Sequence, residues 1–515
     1  MPTERENESE TTDGRDWAEE VRRLEIDRDT WRTEARHWRA ETERLVSAEQ
    51  RRLGWRLRRA RYQYSRRAWR ALPVGVRNQL RPLLFRQTDS DYIGPEPFQT
   101  NESSPARVPA RPPAQRPTVR VATSRQPIDI PVSVVVPTLN AGTDAAFFLA
   151  ALERQVGVPQ LELVIADSGS TDGTRELLGA AADVMLDIPA GEFGHGRTRN
   201  AAFAASSGEV VVMMVQDALL LGPHALRDLI HELLSDDGLA AVSARQVARS
   251  DADLFGAYNV VSHYNALWRD GRSAKPSDPL YRRAAAAVDD VCAAIRRSAL
   301  EGLQYRDIEF AEDLDFGMRA LAAGWTIGLS DDVAVAHSHT RDAPYQFRRS
   351  VADRLNVAPH FGETSVCRSA AAGDVPEIAA SGHAILGVVA ATLALSADSD
   401  EPLSVLLERV AERAWAPITT MEPSRGQLRA LAEFLAEIAN GATAGAVSAP
   451  LGWELAAHLR RPLLVEFADA QRGHSPEAVA DFVAKLAATV IGCSVGDRLR
   501  VDESFANRER LLVGV

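Results

Sequence analysis

From Val132 onward, short β-branched and apolar runs alternate with stretches of helical character. VSVVV starts at Val132 and is ended by Pro137; LELVIA spans Leu161–Ala166, VMLDI Val184–Ile188 and VVVMMV Val210–Val215. Between them lie helical stretches such as Asp144–Gln155, Gly173–Ala181 and Arg197–Ser206. Strands separated by helices imply a parallel sheet. In open sheets of this kind, ligands bind beyond the carboxyl ends of the strands. Asn140, Asp167, Glu192 and Asp217 fall there or just after.

The rest of the chain divides around this block. Residues 1–93 read as a helical arm. Trp17, Val21, Leu24, Arg28, Trp31, Ala35, Trp38, Thr42 and Leu45 follow 4-3 spacing with two polar breaks. That is a short coiled coil, and hence self-association, or one amphipathic helix docked on its own protein. Arg51–Arg86 holds twelve arginines and no acid, with Trp55, Tyr62 and Trp69 as an aromatic stripe. A basic helix with aromatics reads as a binder of anionic membrane surface; a solvated helix or a nucleic-acid contact are the alternatives. Residues 94–131 form a linker with nine of the chain's 27 prolines. Residues 132–350 carry the α/β domain. Residues 351–515 read as a helical module, in which Leu428, Leu431, Phe434, Leu435 and Ile438 share one face. Ser475, Pro476 and Glu477 open another helix in that module.

The formal net charge of −12 argues against nucleic acid as a partner of the whole chain. Cys292, Cys367 and Cys493 are too far apart for a disulfide framework, which suits a reducing cytoplasm. No apolar run reaches the roughly 18–20 residues of a membrane span; the best, Ala384–Ala397, is too short. The expected location is cytoplasmic, with peripheral contact at the inner face of the plasma membrane.

Five stretches carry chemistry. DSGSTDGT (Asp167–Thr174) follows a strand and opens a helix. Its glycines allow a tight turn, and Asp167 can accept from a base or ribose; it can also be a capping loop with Asp172 as N-cap. EFGHGRTRN (Glu192–Asn200) brings Arg197 and Arg199 to a helix start, where they suit a phosphate, or lie in water. VVVMMVQDALLLGP (Val210–Pro223) places one carboxylate, Asp217, at a strand tip. A charge there is costly unless it sits in water or holds a cation. AEDLDF puts Glu312 and Asp313 at a helix start, where acids also serve as simple caps. AHSH ends a strand with His337 and His339 on one side, as metal ligands or as edge residues.

The order VPTLN, DSGSTDGT, GRTRN, QDA, AEDLDF, AHSH resembles family 2 glycosyltransferases with the GT-A fold, over about Val132 to Arg349. The EFGHGRTRN turn and QDA look most like the bacterial rhamnosyltransferase branch. The resemblance implies a mostly parallel α/β nucleotide-sugar domain. It also implies that Asp217 binds a divalent cation, Mg²⁺ or Mn²⁺, bridging the donor's diphosphate. Family members usually carry D-x-D here; Val215, Gln216 and Asp217 retain only the last acid. His337 or His339 would complete the cation's shell. By the same resemblance Asp167 contacts the nucleobase, with Pro137 and Thr138 lining the pocket. Arg199 and Asn200 lie near the nucleotide, and Asn140, Arg197 and Gln216 are grouped with the donor-binding residues. Asp313 is the general base, with Glu312 raising its pKa by like-charge repulsion.

The implied reaction is inverting transfer of a sugar, L-rhamnose from dTDP-rhamnose, to an envelope glycan or lipid-linked acceptor. The alternatives are a family 2 enzyme using a UDP- or GDP-hexose, and a membrane-associated scaffold whose GT-A domain only binds ligand.

Overall fold

The computed structural model describes residues 126–267, 278–308, 310–361, 363, 373–395, 401–415, 422–444, 447–471, 474–502, 505 and 511–512. The heptads of Trp17–Leu45, the arginine-rich stretch and the linker before residue 126 lie outside the described residues.

The strands form where the apolar runs predict: β1 (Val132–Thr138), β2 (Leu161–Asp167), β3 (Val184–Asp187) and β4 (Val210–Met214). β1 continues through Pro137 instead of stopping at it. Between them come α1 (Asp144–Glu153), α2 (Thr174–Ala181) and α3 (His195–Ala204). β5 (Leu219–Leu220), α4 (Ala225–Leu234), β6 (Leu239–Val247), α5 (Leu254–Tyr264) and α6 (Pro279–Ala286) follow. β7 (Cys292–Arg296), α7 (Arg297–Leu303), α8 (Glu312–Ala322), β8 (Thr326–Ala336) and α9 (Ala343–Ala352) complete the α/β part.

The eight strands lie in the order 3-2-1-4-7-6-8-5. Each central strand is apolar on both faces because both faces are covered. Val132, Val134 and Val136 point to one core, with Val210, Val212, Met214 and Leu226. Val135, Val211 and Met213 point to the other, with Phe203, Leu300 and Phe316. β1–β2, β1–β4, β2–β3 and β6–β8 pair in parallel. β7 runs antiparallel to both β4 and β6, and β5 to β8. The sheet is therefore mixed, a GT-A-like α/β arrangement. Because β7 is reversed, its beginning lies beside the carboxyl end of β4, with Met214 opposite Cys292.

The helical region comprises α10 (Val375–Ala394), α11 (Leu403–Arg413), α12 (Gly426–Ala439), α13 (Ser448–Leu459), α14 (Pro462–Asp469) and α15 (Pro476–Leu499). Ser475 caps α15 by accepting from the Ala478 N–H. Leu428, Leu431 and Leu435 of α12 are buried, with Phe434 and Ile438 packed at the margin.

Two expectations change here. The boundary expected between residues 350 and 351 falls inside α9. Phe255, Tyr258 and Phe347 of the α/β part share one core with Leu431, Phe482 and Ile491. Glycines make this approach close: a Cβ at Gly492 would lie 2.5 Å from the Phe347 carbonyl oxygen. Buried ion pairs join the same parts, Arg354 to Asp497 at 2.6 Å and Lys485 to Asp253. Second, Val375–Ala394 and Pro476–Leu499 are long and apolar enough to cross a membrane by length and composition. Charged residues stand inside both, Glu377 in the first and Glu477, Asp481, Lys485, Asp497 and Arg498 in the second, and scattered Ser, Gly and Thr break the apolar runs further. In α15, 78% of the apolar window is buried inside the protein, the burial of a core helix.

Candidate active site

Thr138 and Asp167 face each other in register at the ends of β1 and β2. Asp167 is 1% exposed. The chain turns sharply after it, with Gly169 at φ 94°, which only glycine adopts readily. The turn lets Asp167 Oδ2 accept the N–H groups of Gly169 at 3.0 Å and Ser170 at 2.9 Å. Oδ1 is buried and has no hydrogen-bond partner among the described residues. A buried acceptor left open beside a ligand loop is an acceptor for an incoming donor group.

Asn140 is exposed and left-handed (φ 46°), and it ties the two loops together. Its N–H donates to Ser170 Oγ at 2.9 Å, and its Oδ1 accepts from the Thr171 N–H at 2.8 Å. Gly173, not Asp172, is the N-cap of α2. Asp172 sits one residue earlier and accepts from the N–H groups of Thr174 and Gly142.

Gln216 turns back onto β1. Its Oε1 accepts from Thr138 Oγ1 and from the Leu139 N–H at 2.9 Å, while Nε2 donates to the Leu139 carbonyl at 3.0 Å. A carboxylate could not make the last bond, so Gln216 locks the β1 loop where it was expected to meet the donor. Pro137 is half-buried and Thr138 buried beneath this loop.

Asp217 points elsewhere. The antiparallel pairing of Leu219 with Ala336 brings the end of β8 beside it. His337 Nε2 lies 3.7 Å from Asp217 Oδ1, and His339 Nδ1 lies 3.6 Å from Oδ2. One ligand atom from each of the three residues lies within 4.8 Å of the others. Arg249 holds the Asp217 carbonyl at 3.2 Å. Burial lowers the pKa of His337. Burial and the neighbouring His337 push His339 down to about 4. Both imidazoles are therefore neutral near pH 7, with lone pairs free for a cation. One carboxylate and two neutral imidazoles are a donor set that fits a divalent metal.

α3 begins at His195. A Cβ at Gly196 would lie 2.2 Å from the Arg306 carbonyl oxygen, so the turn needs glycine to dock there. Arg197 is exposed and 3.5 Å from Asp307. Arg199 and Asn200, expected at the nucleotide, instead face inward. Asn200 exchanges two hydrogen bonds with the Tyr305 backbone, at 2.8 and 2.9 Å. Arg199 is buried between Asp290, at 3.2 Å, and Glu312. Tyr305 Oη donates to Asp290 Oδ1 at 2.9 Å. Burial works against the Arg199 charge, but Asp290 and Glu312 outweigh it and raise its pKa. Burial pushes Asp290 up to about 6 against the pull of Arg199.

Glu312 and Asp313 open α8 after Ala311, a non-glycine residue at φ 62°. Glu312 is engaged by Arg199. Asp313 is partly buried, and its Oδ1 accepts from the Leu314 N–H at 2.7 Å. Burial, then Glu312 and Asp290, raise its pKa well above the ordinary carboxylate range. The expected like-charge effect is present but second to desolvation.

Arg199→Leu should cost about 3–5 kcal/mol of stability, because it leaves two acids buried without their cation. Arg197→Ala should change stability by less than about 0.5 kcal/mol. Denaturant titration of both variants checks this; equal midpoints would show that Arg199 does not hold the floor of the site.

Sequence reasoning did not single out Asp289, Asp290, Tyr305 or Gln246. Two adjacent acids between Val288 and Val291, ahead of an apolar run, were the signal available.

The Glycosyl transferase family 2 profile matches residues 133–303. The chain is 32% identical over 222 residues to the O-antigen chain rhamnosyltransferase WbaN of Salmonella anatum, covering 42% of this chain and 69% of that protein. It is 28% identical over 222 residues to the O-antigen chain rhamnosyltransferase RfbN of Salmonella typhimurium, with the same shares covered. Among solved structures, the mannosyltransferase PcManGT from Pyrobaculum calidifontis, in complex with GDP-Man and Mn²⁺, matches at 19% identity and a TM-score of 0.39, over 73% of this chain and 88% of that one. TarS 1–349 of S. aureus matches at 16% identity and a TM-score of 0.34, over 63% of this chain and 90% of that one. With strand-tip acids, a family profile spanning β1 to β7 and a relative at this identity, the chain belongs to glycosyl transferase family 2, in its rhamnosyltransferase-like branch, and is a glycosyltransferase.

Proposed function

We propose that this chain is an inverting rhamnosyltransferase that moves L-rhamnose from dTDP-rhamnose to a hydroxyl of an envelope glycan or lipid-linked acceptor. The observation that carries the reading is the 32% identity, over 222 residues, to an O-antigen chain rhamnosyltransferase.

The open Asp167 Oδ1 accepts from the nucleobase, in a pocket lined by Pro137 and Thr138. Arg197, exposed at the start of α3, approaches the diphosphate. Asp217, His337 and His339 hold the divalent cation; two imidazole nitrogens favour Mn²⁺ over Mg²⁺. When bound, that cation supplies positive charge where the diphosphate departs. Asp313 takes the proton of the acceptor hydroxyl as its oxygen bonds to the anomeric carbon. The bond from that carbon to the diphosphate oxygen breaks on the opposite face, and its electron pair leaves with the nucleotide. Attack in line inverts the anomeric centre, and no sugar–enzyme bond forms. Arg199 with Glu312 and Asp290, and Asn200 with Tyr305, form the floor that holds Asp313 in place. Gln216 and Asn140 hold the loops around the nucleotide.

Donor hydrolysis by the full chain in Mn²⁺, across dTDP-rhamnose, UDP-glucose and GDP-mannose, tests the reading. dTDP-rhamnose should lead by on the order of 10–10² in kcat/KM. A lead by UDP-glucose or GDP-mannose would give the donor as a hexose. Turnover of none, with nucleotide still bound, would give a ligand-binding scaffold.

A further inference from the structure

Gln246 lies on β6 and Asp289 just before β7, and neither touches the position where the donor is proposed to bind. They form a hydrogen-bonded chain that ends at the cation site. Tyr264 Oη and Gln246 Nε2 both donate to Asp289 Oδ2, the latter at 2.6 Å. Asp289 is itself fixed by the Val291 N–H on Oδ1 at 3.1 Å, and its own N–H donates to Ser243 Oγ at 2.9 Å. Gln246 Oε1 lies 2.7 Å from His337 Nδ1. On the far side of that ring, Nε2 faces Asp217.

The direction of these bonds follows from chemistry. A carboxylate accepts and does not donate, so it takes the amide N–H₂ of Gln246. The amide oxygen must then face His337. That oxygen also only accepts, so Nδ1 of His337 must carry the ring proton. A neutral imidazole has one proton, so Nε2 is left with its lone pair aimed toward Asp217. We propose that Asp289 and Gln246 are positioning residues of the cation site, which set the tautomer of His337 so that Nε2 is the metal-binding nitrogen. Partners that hold the second nitrogen of a metal-binding histidine commonly govern affinity by 10–100-fold. The inference rests on the cation reading above, and it adds two residues that no strand-tip motif contains.

The test measures Mn²⁺ alone, by the electron paramagnetic resonance signal of free ion, without donor or turnover. Gln246→Leu removes the acceptor and should weaken Mn²⁺ binding about 10–100-fold. The double exchange Gln246→Glu with Asp289→Asn restores an acceptor for His337: the new carboxylate accepts from Nδ1–H and from the new amide, whose second N–H turns to Tyr264 Oη as acceptor. It should bind within about threefold of the starting protein, a rescue that a packing defect would not show. Nitrogen-15 shifts of the His337 ring in the metal-free starting protein should report the Nδ1–H form. An Nε2–H form overturns the inference, and does so even if Gln246→Leu fails to fold. Mn²⁺ affinity unchanged in Gln246→Leu, or as weak in the double exchange as in Gln246→Leu, also overturns it while the cation reading stands. A starting protein that binds no Mn²⁺ overturns both.

Discussion

Asp313→Asn should lower kcat by about 10²–10⁴-fold, the range for loss of a general base, with nucleotide affinity retained. The amide keeps the shape and the acceptor oxygen but cannot take the proton. The pH profile of the unmodified enzyme should carry the same signature. A base works only when deprotonated, and burial with Glu312 and Asp290 holds the Asp313 pKa well above the ordinary range. Activity should therefore fall on the acid side at a higher pH than an exposed aspartate would give. Stability should move in the opposite sense. Below the unfolded-state pKa both states are protonated, and the contribution of Asp313 to stability is fully present. Between that value and the raised folded value the unfolded chain ionises while the fold keeps the proton, so stability falls as pH rises. The contribution of Asp313 to stability is thus lost as pH rises through the folded value. Asp313→Asn never ionises, so its Tm at neutral pH should equal or exceed that of the starting protein. Near-native turnover in this variant would remove Asp313 from the role of base.

Asp217→Ala should lower turnover by on the order of 10³-fold or more, the several kcal/mol that a cation contributes to a departing diphosphate. It removes the only carboxylate of the three candidate ligands. His337 and His339 remain, so weak Mn²⁺ binding should persist while nucleotide-diphosphate affinity in Mn²⁺ drops. Chelator in excess should silence the starting enzyme, and added Mn²⁺ should restore it. Stability should change little, because the histidines facing Asp217 are held neutral and no buried charge is orphaned. Activity unchanged in excess chelator would end the metal reading. Neutralising the leaving group would then fall to Arg197, which is exposed at the start of α3.

Much of this architecture can be read from local pattern. Apolar runs with intervening helical stretches imply covered strands, and the first four strands begin where those runs begin. The glycine after Asp167 announces a turn that only a residue tolerant of positive φ makes readily, and it has φ 94°. Ser475 is legible as a cap because capping depends on the next few residues alone. Asp217 is legible because a lone carboxylate at the end of an apolar strand needs a partner. These signals reach only a few residues along the chain.

Tertiary structure alone decided the partners of the polar groups. Arg199 looked like a phosphate ligand at a helix start, but helical rotation turns it inward, toward Asp290 and Glu312, distant in sequence. Gln216 occupied the place of a ligand and became a lock on Leu139. Asp289 and Asp290 gave no motif at all. They matter because β7 is inserted in reverse between β4 and β6, which carries its first residues to the edge where Asp217 lies. The two carboxylates then diverge, Asp289 toward Gln246 and His337, Asp290 toward Arg199 and Tyr305. Strand order and direction come from which apolar faces pack together over the whole domain. Hydrophobic burial is not directional, so periodicity specifies that a face is buried and leaves its neighbour to be set by the fold.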